Sequence, residues 1–124
     1  VDFEMQCFLA LHLFGHSVQW VAPSYQPEIV GISESDLEIY LEALHRYERN
    51  AARYGLQLLH EAGSTDVDAW FFDFIATDWK YVETFYRTGA IPSWESCVVR
   101  QARPVEPLPI PPLEPRLVET RFAF

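Results

Sequence analysis

Hydrophobic residues recur with helical spacing along most of this chain. Apolar residues fill almost every position from Phe3 to about Val18, which predicts a central helix covered by neighbours on most sides. Between Leu37 and Gly63 they recur every three or four residues, which predicts a long second helix with one buried face. A third helix is predicted from Thr65, where acidic residues follow a capping residue, to a left-handed end at Gly89.

The character of the chain changes after Pro92. The segment Cys97–Val99 fits a short strand, and six prolines between Pro104 and Pro115 exclude a helix there. We therefore predict a mainly α fold, with a helical three-helix domain over residues 1–92 and an extended Pro-rich C-terminal arm over residues 93–124 packed on it. One or two short strands are expected at most, and an α+β domain is the alternative class.

Charge and cysteine content narrow the range of functions. The chain has 18 acidic and 9 basic residues and a net charge of −9, so direct nucleic-acid binding is not expected and a cation or a basic partner fits better. Cys7 and Cys97 form no disulfide framework, which indicates reduced thiols in a cytoplasmic protein. The apolar start carries Asp2, Glu4 and two histidines, so neither a signal peptide nor a membrane span is predicted.

Two histidines four residues apart carry the candidate chemistry. His12 and His16 project from one face of the first helix, about one turn of ~5.4 Å apart, and can share a metal ion. Glu48 lies on the buried side of the second helix, where a carboxylate needs a cation or strong donors, and is the candidate third ligand of a zinc site. Gly15 and Gly55 are small enough to let the two helices approach closely.

The same residues allow a metal-free interpretation. Core histidines are often held by a backbone carbonyl or a tyrosine, and Glu48 has Arg49 and Arg53 as alternative partners. Glu42 and His45 fit half of a di-iron motif, but such a site needs a second copy, so we expect these two side chains in solvent.

Two segments resemble the motifs of a known family. Ala10–His16 is similar to the His-Glu-x-Gly-His helix of the ImmA/IrrE-type gluzincin metallopeptidases. Glu48–Leu59 resembles that family's second motif, in which a glutamate ligand precedes an alanine, an aromatic and a small residue, and then a pair of leucines. The gap of 32 residues between the two motifs also suits the family. The resemblance implies zinc as the metal and His12, His16 and Glu48 as its ligands.

The chain departs from this family at the catalytic base. Leu13 stands where the family has the glutamate that takes a proton from the zinc-bound water, and leucine cannot accept a proton. We therefore expect a zinc-binding regulatory or binding module, with a protein or peptide partner and without standard peptidase activity. The alternatives are an active hydrolase whose base is another acidic residue, such as Glu34 or Asp36, and a metal-free helical interaction module.

Overall fold

The described part of the chain is all-helical. The computed structural model describes residues 2–21, 31–33 and 35–112, which form four helices: α1 (Phe3–Val21), α2 (Leu37–Glu61), α3 (Asp68–Thr88) and α4 (Trp94–Cys97). This confirms the mainly α class with three major helices. No strand occurs in these ranges, and none of their helices is long and apolar enough to cross a membrane.

The short strand predicted at Cys97–Val99 is wrong. Cys97 closes α4, whose start is capped by the Ser93 side chain accepting a hydrogen bond from the Ser96 N–H. A serine before a single helical turn offered the backbone a cap that the apolar pattern did not reveal. Residues 98–112 continue with neither helix nor strand, and residues 113–124 of the predicted arm lie outside the described residues.

The central helix is α2, with α1 and α3 packed on it. Helix α2 packs against both α1 and α3, whereas the contact between α1 and α3 is small. The prediction that α1 is covered on most sides is wrong, because Leu13 and Trp20 on its outer face are 60% and 68% exposed. The residues that α1 buries form one stripe: Phe8, His12, Gly15, Val18 and Gln19.

Two glycines set the close approach of α1 and α2. A Cβ atom on Gly15 would lie 1.8 Å from the backbone oxygen of Ala51, and one on Gly55 would lie 2.6 Å from that of Leu11. Any larger residue at either position would force the helices apart. The predicted close approach is therefore confirmed, and it brings the polar residues of the α1 stripe directly against α2.

Apolar clusters lie on both sides of this contact. Phe8, Ala52, Leu56 and Phe71 form one cluster, and Tyr40, Leu41, Leu44 and Tyr47 form the other. Glu48 follows the second cluster along α2 and precedes the first, so it lies between them. Burial of apolar side chains in both clusters, at about 25 cal/mol per Å² of apolar area, fixes the position of this polar residue.

The ends of α3 agree only in part with the sequence. The helix begins at Asp68 after Val67, three residues later than predicted from Thr65. Its end is confirmed, since Gly89 has a φ of 71° and its N–H donates to the Phe85 carbonyl over 2.8 Å. A glycine at this position adopts the left-handed conformation without the steric cost that a Cβ would add.

Residues 98–112 run from α3 to α2. The Val99 N–H donates to the hydroxyl of Thr77, a residue of α3, over 2.9 Å. Further along, the Leu108 N–H donates to the Arg53 carbonyl on α2 over 3.2 Å. The segment therefore bridges these two helices.

Candidate metal centre

One carboxylate oxygen meets two imidazoles at the seam between α1 and α2. Glu48 Oε2 lies 2.9 Å from His12 Nε2 and 3.2 Å from His16 Nε2. The two rings stack with centroids 4.8 Å apart, as expected for positions four residues apart on a helix. The three side chains are largely buried, with exposed fractions of 8% for His12, 12% for His16 and 20% for Glu48.

The other nitrogen of His16 is held by a buried glutamine. His16 Nδ1 lies 2.8 Å from Gln19 Oε1, and Gln19 Nε2 donates to the Tyr47 carbonyl over 2.8 Å. Because the Tyr47 carbonyl can only accept, the amide group of Gln19 is oriented with its nitrogen toward Tyr47 and its oxygen toward His16. A carbonyl oxygen can likewise only accept, so His16 carries a proton on Nδ1.

The other nitrogen of His12 faces a second carboxylate. Asp78 on α3 places Oδ2 3.4 Å from His12 Nδ1. Asp78 is also largely buried, and burial, aided by the charge of Glu48, raises the pKa of its carboxyl despite the opposing effect of His12 and His16. A histidine that binds a metal through one nitrogen usually donates from the other to a carboxylate or carbonyl, which fixes its tautomer and orientation. Both histidines have such a group.

These contacts leave a place for a positive charge. With its proton on Nδ1, a neutral His16 presents a lone pair at Nε2, and Glu48 presents carboxylate lone pairs to that nitrogen from 3.2 Å. Two acceptors at this distance repel each other unless a proton or a metal ion lies between them. The same oxygen also faces His12 Nε2, so three ligand atoms converge on one point.

The ionisation of the group reflects this convergence. Burial favours the neutral carboxyl of Glu48, but hydrogen bonds from both imidazoles outweigh it and lower its pKa to about 2. Burial lowers the pKa of His16, but the hydrogen bond and charge of Glu48, with help from Gln19, leave it raised overall. In the metal-free chain, the raised pKa of His16 therefore favours a proton between its Nε2 and the Glu48 carboxylate.

The donor set fits a metal ion with a preference for nitrogen and oxygen ligands. His12, His16 and Glu48 are the group, among residues 2–21, 31–33 and 35–112, whose ligand atoms can hold an ion, and these atoms lie within 4.8 Å of one another. Ligands about 2.1 Å from a tetrahedral zinc lie about 3.4 Å apart. Binding would therefore bring the most widely separated ligand atoms closer by up to about 1.4 Å and move Glu48 Oε2 slightly away from both nitrogens. Three protein ligands leave the fourth position to a water molecule or another ligand.

The other acidic and basic candidates lie elsewhere. Asp36 precedes α2 twelve residues before Glu48, about 18 Å along the helix axis, which is too far to act on a ligand bound at the centre. Glu34 lies outside the described residues. Arg53 does not pair with Glu48, because its Nε donates to the Glu106 carbonyl.

Among residues 2–21, 31–33 and 35–112, the half di-iron motif of Glu42 and His45 finds no further ligands that would make a metal site. Glu42 accepts a hydrogen bond from Arg46 over 2.9 Å. His45 stacks on Trp79 with ring centroids 4.3 Å apart, so it is not in solvent as predicted. The flat face of an indole provides a better contact for the imidazole than water does.

The sequence reasoning missed Asp78 and Gln19. Asp78 lies seven residues after the buried Phe71 and four before Val82, a position on the inner face of α3 that helical periodicity can identify. The argument that singled out Glu48 therefore applied equally to Asp78. Gln19 carries no such signal, since an uncharged amide near the end of a helix is usually solvated.

Comparisons of the chain with protein-family models, with curated proteins and with solved structures find no significant match.

Proposed function

We propose that this chain binds one zinc ion through His12, His16 and Glu48 and acts as a regulatory or binding module of the gluzincin type. The observation that carries the proposal is the orientation of His16. Gln19 accepts the proton of its Nδ1, so its Nε2 faces the Glu48 carboxylate, a contact that a second proton stabilises in the metal-free chain and that a zinc ion can replace. Histidine nitrogen and carboxylate oxygen are ligands that zinc accepts, and His12 completes a set of three.

The module lacks standard peptidase activity in this proposal. Leu13 follows the first histidine, where the resemblance implies a glutamate base, and its side chain is 60% exposed and carries no proton acceptor. Asp78 is the nearest additional carboxylate that the structure describes at the site, and it faces His12 Nδ1 rather than the point where the three ligand atoms converge. Its position suits a residue that orients His12. We place the module in the cytoplasm, because both cysteines are free thiols.

Metal analysis of protein purified without a metal-affinity tag tests the proposal. We expect about one zinc per chain, since three converging ligands are the usual protein contribution to a zinc site with one open position. His16→Ala should lose the zinc. His60→Ala changes a histidine in the last turn of α2, away from the metal centre, and should retain it. Circular dichroism of both variants checks that the helices remain folded.

Two outcomes would contradict the proposal. A folded wild-type protein that takes up no zinc, even when zinc is supplied, would remove the metal centre. Cleavage of a fluorogenic peptide by the zinc-loaded protein, lost on adding a chelator, would instead show an active hydrolase.

A metal-free interaction module is the second candidate. Large apolar residues on the outer face of α1 favour it: Phe3, Leu9, Leu13 and Trp20 are 40% exposed or more. Exposed apolar residues on one helix face are a common feature of surfaces that bind another protein. Chelator-insensitive folding together with a zinc-free protein would favour this candidate.

A further inference from the structure

A groove beside the metal centre differs in charge from the rest of the chain. This basic groove, with a volume of about 620 Å³, is formed by α2, α3 and residues 99–105. Its size falls within the range of about 300–1,000 Å³ that ligand sites occupy. Arg49 and Arg103 line it, and none of its described lining residues is an Asp or Glu, although Asp73 accepts a hydrogen bond from the Ala102 N–H at its edge. That is unusual for a chain with 18 acidic residues and 9 basic ones.

The two arginines of the basic groove have no anionic partner in the described part of the chain. Other arginines do: Arg46 pairs with Glu42 at 2.9 Å, and Arg87 pairs with Glu38 and Glu83. The positive charge of Arg49 acts on basic neighbours, since burial first and then this charge lower the pKa of Arg53 and of His45. An anion in the groove could therefore pair with Arg49, with which no described carboxylate of the groove lining pairs.

The floor of the basic groove is apolar. Phe72, Ile75 and Trp79 of α3 line it. Trp79 is covered on one side by the stacked ring of His45. A ligand here meets guanidinium groups at the rim and apolar surface below, so it must carry both an acidic group and an apolar group. A peptide with alternating acidic and apolar side chains has this chemistry. The net charge of −9 is a sum over the whole chain and does not describe the charge of the groove lining.

The basic groove and the metal centre share a wall. A cavity of about 10 Å³, room for about one water molecule, lies between them and is lined by His12, Glu48 and Asp78 on one side. Four of its other lining residues also line the basic groove: His45, Arg49, Ile75 and Trp79. A ligand in the groove would lie next to the centre, separated from it by one layer of side chains.

We infer that the basic groove binds an acidic, apolar-containing peptide segment, which Arg49 and Arg103 hold by its carboxylates. This inference names a partner class for the proposed module, but the binding does not depend on zinc. The charge of the groove contrasts with the expectation of a basic partner from net charge, because that expectation averages over the whole chain.

The test uses a fluorescein-labelled hexapeptide of alternating glutamate and leucine, titrated with the full chain and followed by fluorescence anisotropy. Each of Arg49→Gln and Arg103→Gln should weaken binding about three- to fivefold, as expected for exposed ion pairs, and the double variant about tenfold or more. Arg46→Gln is the matched control: it removes one charge from an exposed position of the same helix, outside the groove, and should leave binding unchanged.

Reversing the charge of both groove arginines provides a second test, in which the preferred peptide should change. Arg49→Glu combined with Arg103→Glu should abolish binding of the glutamate peptide and create binding of the matching lysine–leucine peptide. All titrations are run with zinc and again with a chelator. Binding that persists with the chelator supports the groove whether or not the metal proposal holds.

Four results would overturn the inference. These are no binding at millimolar peptide, equal binding of a glutamine–leucine peptide, equal losses for Arg46→Gln and Arg49→Gln, and binding of oligothymidine at least as tight as the peptide. The last result would assign the groove to a nucleic acid instead.

Discussion

Two places on α2 bring histidine and carboxylate side chains together in the described part of the chain, one at Glu48 and one at His60, and the one at Glu48 has the features of a metal centre. His60 Nε2 lies 2.7 Å from Asp68 Oδ1, closer than either imidazole lies to Glu48. It is nonetheless a single pair with a quarter or more of each side chain exposed. At Glu48 two imidazoles converge on one oxygen, the group is more deeply buried, and the outer nitrogens face Gln19 and Asp78. The site is therefore identified by two imidazoles that converge on one carboxylate and by the contacts of their second ring nitrogens, and not by the shortest distance.

The largest expected difference between the two contacts is in zinc affinity. Glu48→Gln removes the charged ligand that both imidazoles share, so we expect zinc binding to weaken at least about 100-fold, the upper end of the range for losing even an outer contact. Asp68→Asn changes the His60 pair in the same way and should leave affinity within error. Competition with a fluorescent zinc indicator measures both. Equal effects of the two variants would show that zinc binds elsewhere.

The close approach of α1 and α2 should matter for the metal centre and not for the His60 pair. Gly15→Ala places a Cβ where the Ala51 carbonyl lies, so the helices must separate. We expect a loss of about 1–3 kcal/mol in unfolding free energy and a clear loss of zinc affinity. Urea denaturation and zinc competition provide the two measurements.

The matched glycine control is at the end of α2. Gly63 has a φ of 86°, and nothing lies within 4 Å of the position that a Cβ would take, so Gly63→Ala adds backbone strain without a clash. It should cost about 1 kcal/mol and leave zinc affinity unchanged. An unchanged zinc affinity in Gly15→Ala would argue against the close helix contact at the centre.

The smallest of these effects should come from changing Asp78, the carboxylate that faces His12 Nδ1. Asp78→Asn keeps the size of the side chain and one acceptor oxygen but removes its charge, so we expect zinc affinity to fall about tenfold. The His60 pair should not change, and the nuclear magnetic resonance shifts of its ring protons can confirm this. A loss as large as that of Glu48→Gln would make Asp78 a direct ligand.

The candidate ligands were predictable from the sequence because helical spacing places His12 and His16 one turn apart and Glu48 on the buried side of α2. His12, His16 and Glu48 follow from spacing and from the buried side of α2, and the structure brings them together. The outer contacts were not all predictable in the same way. Asp78 was detectable by its position on the inner face of α3, whereas Gln19 depends on a contact with Tyr47 that only the packed helices create.

The error in the position of α1 has a physical cause. A helix that is apolar on nearly all sides usually indicates full burial, yet Leu13 and Trp20 are exposed here. His12, His16 and Gln19 of α1 face inward, whereas the polar residues Glu4 and Gln6 near its start are exposed. The apolar pattern alone therefore did not show which face of α1 is exposed. The basic groove could not be predicted from the sequence either, because residues from three separate segments form it.

The contact between His12 and Glu48 joins positions 36 residues apart in the chain. An ion held by both would be a covalent-like cross-link that restricts the unfolded chain, as a disulfide of the same span does. Loop-closure arguments assign such a cross-link about 4 kcal/mol of entropic stabilisation. Zinc availability would then decide how firmly the first helix stays attached to the rest of the protein.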